Sequence, residues 1–271
     1  MRPDSFLFAT LGAVIIPGTL SHNVEGILLV NGTETPEWKY VLDIEGPESF
    51  QPDDRLPPGW QGYKVNPIIG PDNPNVTCGR GAFKAAMRTE TADVLAGSEV
   101  GFRVSTDGGG TRNRGDTTRQ PTFYHPGPAQ VYLSRAPNDD LLYYHGDGDW
   151  FKIAYAGPLN STDWSLWPRV SDFNFTIPKT TPPGRYLMRI ENLYPTASSG
   201  FQQFYVNCAL VNIMGPGGGT PTGFARFPGT YQTDDPGILV PPNQDLLGGP
   251  VELEDMRLLE YKAPGPPVWT G

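Results

Sequence analysis

The sequence contains three histidines, His22, His125 and His145, and the first follows a segment that reads as removable. Residues 1–21 carry Arg2 near the start, an apolar stretch from Phe6 to Leu20, and small residues Thr19 and Ser21 placed for signal cleavage. Cutting after Ser21 would make His22 the N-terminal residue. A histidine there offers a metal two nitrogens, the free α-amine and the imidazole, closing a chelate ring with no loop to order. Nitrogen donors of this kind suit copper, which tops the divalent affinity series. His125 sits in Phe123-Tyr124-His125-Pro126-Gly127-Pro128, a stiff turn just ahead of a predicted strand and expected to be solvent-reachable. His145, in Tyr144-His145-Gly146-Asp147-Gly148, is a similar loop residue for which the sequence offers no partner.

A further group lies in Gln203-Phe204-Tyr205-Val206-Asn207-Cys208. In a strand, Gln203 and Tyr205 share a face because side chains alternate with period two. Cys78 and Cys208 are the only cysteines, and neither has CxxC spacing, which argues against a zinc site or a thioredoxin-like pair. In an exported chain a single Cys78–Cys208 bridge is the natural reading, worth roughly 3–5 kcal/mol by loop entropy. It would tie down the strand that carries Tyr205. Four sequons, at Asn31, Asn75, Asn160 and Asn174, fit a eukaryotic secretory route and are candidate glycosylation sites.

The elements that must position these residues are short strands. With 33 Gly and 30 Pro in 271 residues and no long 3.6-residue apolar period, helices are disfavoured. Strand candidates are Ile27 to Val30 (ended by the turn pair Asn31-Gly32), Val100 to Val104, Ala129 to Ser134, Trp150 to Ala154, Phe173 to Ile177, Tyr186 to Glu191 and Gln203 to Ile213. Residues 46–75, containing Trp60 and Tyr63, read as a long surface loop, as do 107–119 and 214–250. The expected fold is all-β: an immunoglobulin/fibronectin-like antiparallel β-sandwich with long loops. Residues 22–271 are expected to form one domain with no separate carbohydrate-binding module. A net charge of −9 argues against nucleic acid and allows a neutral polysaccharide. The N-terminal apolar run, broken by Pro17, is too short for a membrane span, so a secreted, extracellular monomer is expected.

These residues resemble the fungal lytic polysaccharide monooxygenases of auxiliary activity family nine, the cellulose-active copper class. The resemblance covers nearly the whole mature chain. It begins with His22 ten residues before Gly32 and runs through Tyr124-His125-Pro126-Gly127-Pro128-Ala129-Gln130-Val131-Tyr132. It continues in Gly148-Asp149-Trp150-Phe151-Lys152-Ile153, Gly184-Arg185-Tyr186-Leu187-Met188-Arg189 and Gln203-Phe204-Tyr205 to Cys208. It closes with Phe227-Pro228-Gly229-Thr230-Tyr231 and Pro264-Gly265-Pro266-Pro267. The resemblance implies a histidine brace in which the amine and imidazole of His22 and the imidazole of His125 hold one copper ion, with Tyr205 on the axial side. Gln203 would hydrogen-bond a copper-bound oxygen species. An external electron donor and O2 or H2O2 would serve the oxidation of cellulose or a related β-glucan. Trp60 and Tyr63 would stack on sugar rings.

One departure stands out. Where the family has a histidine beside the copper, counting from Arg189 gives Thr196 and counting back from Gln203 gives Tyr194. A missing donor weakens turnover more than binding, so a non-catalytic copper-binding relative is the alternative reading. A metal-free carbohydrate-binding sandwich is a third, and requires processing elsewhere than Ser21. The region Pro241 to Met256 also departs from the family's ending.

Overall fold

The computed structural model describes residues 22–46, 64–106, 121–167, 170–197, 199–240 and 258–271. The expectations for the leader 1–21, for Trp60 and Tyr63, for the loop 107–119 and for Pro241 to Met256 fall outside them. Eleven strands are present among the described residues: β1 Ile27–Val30, β2 Thr33–Glu34, β3 Ile68–Ile69, β4 Ala92–Leu95, β5 Glu99–Arg103, β6 Ala129–Arg135, β7 Trp150–Ala156, β8 Asp172–Thr176, β9 Gly184–Tyr194, β10 Gln203–Met214 and β11 Phe224–Ala225. They form two sheets, one ordered β2-β1-β5-β8 and one ordered β11-β7-β6-β9-β10-β3, with β4 alongside β10. Asn31 and Gly32 both take positive φ, 49° and 72°, at the two-residue turn between β1 and β2, as an Asn-Gly hairpin requires.

Period-two alternation explains why the central strands read as almost unbroken buried runs. Met188 and Ile190 of β9, Val131 and Leu133 of β6, and Ala209, Val211 and Ile213 of β10 meet Leu28, Val100, Phe102 and Phe173 of the small sheet in one apolar layer. The intervening residues Leu187, Leu193, Tyr132, Phe204, Val206 and Cys208 pack on the outer side, under Val76, Trp150 and the 3-10 segment Ala82–Arg88. The large sheet is therefore covered on both faces. Cys78 and Cys208 form the expected disulfide, with Cα atoms 5.1 Å apart, fastening this outer cover to β10.

Two polar residues cross the outer layer. Arg189 and Glu191 form an ion pair of 2.7 Å with no exposure at either side chain. Arg189 also donates to Val76 O and lies 3.8 Å over the ring of Phe227, while Gln130 Nε2 and the Tyr231 hydroxyl donate to Glu191. Both charges are thus paired and hydrogen-bonded, as burial demands.

Two loop expectations need correction. Within 46–75, the described part from residue 64 is not all surface loop: β3 pairs with β10, and Val65 and Asn66 are buried. The expected antiparallel β-sandwich is present, and β4, which the sequence pattern did not reveal, adds one parallel pairing beside β10. Finally, β11 interrupts the presumed loop after residue 214 and extends the sheet beside β7. Among the described residues no helix is long and apolar enough to cross a membrane.

Candidate metal centre

The site grows from the inward row of the large sheet. Along β9 that row changes from Met188 and Ile190 to Asn192 and Tyr194; along β10 it changes from Ala209 to Asn207, Tyr205 and Gln203. The antiparallel register sets Tyr205 opposite Asn192 and Gln203 opposite Tyr194. The apolar layer therefore ends in a polar platform. His22, just before β1, and His125, on the turn leading into β6, are brought over it.

The turn of His125 rests directly on β9. Leu193 N donates to Pro128 O at 3.0 Å, and Asn192 Nδ2 donates to the same oxygen at 3.2 Å. Gly127 takes φ +154°, and a Cβ there would lie 1.9 Å from Leu193 O, so only glycine permits this approach.

Ring geometry gathers the residues singled out in the sequence. The centroids of His22 and His125 are 5.5 Å apart, and each lies 5.8 Å from that of Tyr205. The Tyr205 hydroxyl donates to Gln203 Oε1 at 2.6 Å, which leaves the Gln203 amide nitrogen as its donor end. His145 is elsewhere and stacks on Phe83 at 4.8 Å. His125 is half-buried rather than openly exposed.

Further residues belong here: Tyr194, left open by counting, and Tyr124, Asn66, Asn207 and Glu25, which sequence reasoning passed over. Tyr194 lies flat on His125, with centroids 4.4 Å apart and planes 16° from parallel, and Tyr124 meets the same ring edge-on at 4.9 Å. Of the two positions left open by counting, Tyr194 is the one that faces the site. Thr196 is buried, and its backbone is bridged to Leu239. Asn66 Oδ1 lies 3.2 Å from His22 Nδ1. Asn207 could have been found by extending the period-two row, whereas Glu25, between Val24 and Gly26, gave no pattern. Asn66 carried no signal either.

Burial sets the charge states. Desolvation lowers His22 to about 4, partly offset by its hydrogen bond to Asn66. Desolvation lowers His125 to about 3, with His22 contributing a smaller push in the same direction. Both imidazoles are neutral near pH 7, the form that binds metals. Desolvation raises Glu25 to about 8, against its hydrogen bonds. Burial, with Glu25, Tyr194 and Tyr124 nearby, pushes the Tyr205 hydroxyl far up, so it keeps its proton.

The residues fit a metal. His125 Nε2 is buried with no hydrogen-bond partner, a position that calls for a ligand. Two imidazoles bound to one ion at ordinary metal–nitrogen lengths keep ring centres within roughly 6 Å of each other; the separation of 5.5 Å satisfies this. Among the described residues no three His, Cys, Asp or Glu side chains form a metal cage. Two imidazoles must therefore draw further donors from another source.

The family model described as Auxiliary Activity family 9 (formerly GH61) matches residues 22–246. The chain belongs to this family. It is 59% identical over 266 residues to AA9 family lytic polysaccharide monooxygenase U of Thermothielavioides terrestris, covering 98% of this chain and 99% of the relative. It is 34% identical to AA9 family lytic polysaccharide monooxygenase A of Aspergillus fumigatus, covering 95% of this chain and 79% of that protein. The fold matches the crystal structure of a cellulose-active polysaccharide monooxygenase from M. thermophila, with TM-score 0.64 and 23% identity over 92% of this chain and all of that one. The AA9 match thus joins the β-sandwich to a family of polysaccharide-degrading monooxygenases, and it begins at His22.

Proposed function

We propose that the protein is exported and cut after Ser21, and that residues 22–271 act as a single-domain copper-dependent monooxygenase on cellulose or a related β-glucan. The observation that carries this reading is the pair of neutral imidazoles with centroids 5.5 Å apart, together with His125 Nε2 buried and without a hydrogen-bond partner. His22 would bind through its amine and Nδ1, exchanging the Nδ1 contact with Asn66 for the metal. His125 would bind through Nε2. Copper so held supplies one-electron chemistry toward O2 or H2O2, fed by an external electron donor.

The remaining residues act around that centre. Tyr205 keeps its proton and donates to Gln203, so it would meet a bound metal as a neutral phenol and not as a phenolate. Gln203 holds its carbonyl toward Tyr205, so its amide nitrogen is the donor available to an oxygen ligand. Tyr124, exposed and edge-on to His125, and Phe201, exposed just before β10, offer rings for sugar faces beside the centre. The amine must lose its proton to bind, so copper affinity should fall in acid.

The test uses secreted, copper-loaded protein with a reductant and cellulose. The expected result is an N-terminal His22 by sequencing, a type-two copper resonance signal, and oxidised oligosaccharides that disappear in His125→Ala. A start at another residue, or no copper signal, overturns the reading. Tyr194 favours a second one: a flat phenol ring stands where the family has a histidine. Tight copper binding without oxidised sugars would establish a non-catalytic copper protein instead.

A further inference from the structure

The segments bearing the three candidate ligands come from distant parts of the chain: residues 22–25, the turn 121–128, and β10. A single run of hydrogen bonds joins them. Tyr124 N, adjacent to His125, donates to Asn23 Oδ1 at 3.1 Å. Asn23 Nδ2, adjacent to His22, donates to Glu25 Oε1 at 2.5 Å. Glu25 N then donates to Asn207 Oδ1 at 2.9 Å, two residues beyond Tyr205 on the same strand face. Asn23 and Asn207 are 2% and 0% exposed and Glu25 is 0% exposed, so water does not compete for these contacts.

We propose that Asn23 and Glu25 form a clasp that sets the spacing of His22, His125 and Tyr205 before copper arrives, making them positioning residues of the centre. Asn23 suits this role because its amide is both acceptor and donor. Its oxygen holds the backbone beside His125, and its nitrogen holds the carboxyl of Glu25. An aspartate has no N–H to give Glu25 and would set a second carboxyl against it, and an aliphatic residue makes neither contact. The backbone of Glu25 carries the link on to β10, whose disulfide and double strand pairing make it the fixed member. Without the clasp, the extended residues 22–26 and the turn 121–128 would each keep their own anchors, but nothing in the clasp's path would fix one imidazole relative to the other.

This inference rests on the copper reading, and the experiment separates the two. Copper(II) affinity by competition titration and the resonance spectrum are measured for processed wild type, Asn23→Leu, Asn23→Asp, Glu25→Gln, and the double variant Asn23→Asp with Glu25→Gln, alongside thermal unfolding of the metal-free forms. Loss of outer contacts of this kind typically weakens metal binding about 10- to 100-fold, and that is expected for Asn23→Leu and Asn23→Asp, with altered copper hyperfine splitting. The double variant exchanges the amide and the carboxyl, reverses the donor in the 2.5 Å contact, and should recover wild-type affinity and spectrum. Glu25→Gln keeps an acceptor oxygen for Asn23 and should bind copper as wild type does. If Asn23→Leu and Asn23→Asp fold and bind copper with wild-type affinity and spectrum, the clasp is refuted. The same holds if the double variant is no better than Asn23→Asp. If wild type itself binds no copper, the proposed function fails first.

Discussion

Replacing Gly127 by alanine probes the site through geometry alone. The added Cβ would stand 1.9 Å from Leu193 O, about 1.4 Å short of an ordinary carbon–oxygen contact of ~3.3 Å. Leu193 cannot give way readily, because it lies in β9, paired with β6 and β10. The turn must therefore lift by more than 1 Å, carrying His125, two residues earlier, with it. Metal–ligand distances tolerate only about 0.2 Å, so the spacing that suits a shared ion is lost. Overpacking of this kind costs about 1–3 kcal/mol, which in a domain of this size lowers Tm by roughly 3–10 °C. Calorimetry of metal-free protein and a copper competition titration read the two effects separately. The expected result is the Tm loss together with copper binding weakened by at least about tenfold. Wild-type Tm and wild-type affinity in Gly127→Ala would refute the claim that this close approach positions His125.

Other substitutions test separate links. Replacing Cys78 and Cys208 together with alanine removes a cross-link spanning 130 residues, worth about 4–5 kcal/mol by loop entropy; urea unfolding showing less than about 1 kcal/mol would contradict it. Tyr194→Leu loses the stack on His125, about 0.5–1.5 kcal/mol, and so should weaken copper binding by a few-fold to about tenfold with a changed resonance spectrum. Tyr194→Phe keeps the ring and should match wild type; equal behaviour of Leu and wild type would remove the stack from consideration. For the metal-free protein, His22 and His125 fall from 6.5 to about 4 and about 3, so their contribution is whole above pH 6.5 and is lost on acidification toward those values. Glu25 rises from 4.5 to about 8, so its contribution is whole below pH 4.5 and is lost as pH climbs through 8. Stability measured by denaturant unfolding should therefore peak near pH 6.5, and Glu25→Gln should flatten the alkaline side; an unchanged slope between pH 6.5 and 8 in that variant rules out this origin.

Much of the frame could be read from residue order because strand alternation is local. Gln203 and Tyr205 had to share a face, Asn31-Gly32 had to turn, and seven of the eleven strands were marked by apolar runs. The two-residue strands β2, β3 and β11 carry too few residues to show a period, and β4 alternates over only four. His22 and His125 could be paired only through family resemblance, since nothing in the spacing of residues 103 positions apart makes them neighbours. Asn66 and the Asn23–Glu25–Asn207 contacts were hidden for the same reason, and counting alone could not choose Tyr194 over Thr196. Their roles arise from proximity across the fold, and asparagines in a chain rich in turns have a common local use that masks a buried one.

The platform under the histidines is the polar end of the same side-chain row that fills the interior between the sheets. Amides at 203–208 lie in the buried first half of β10, paired with β9 along its length, and they should exchange with solvent only when the molecule unfolds as a whole. The floor of the candidate metal centre should then open no more easily than the sandwich itself. Heating should destroy both in one cooperative event rather than shedding the ion from an otherwise intact protein.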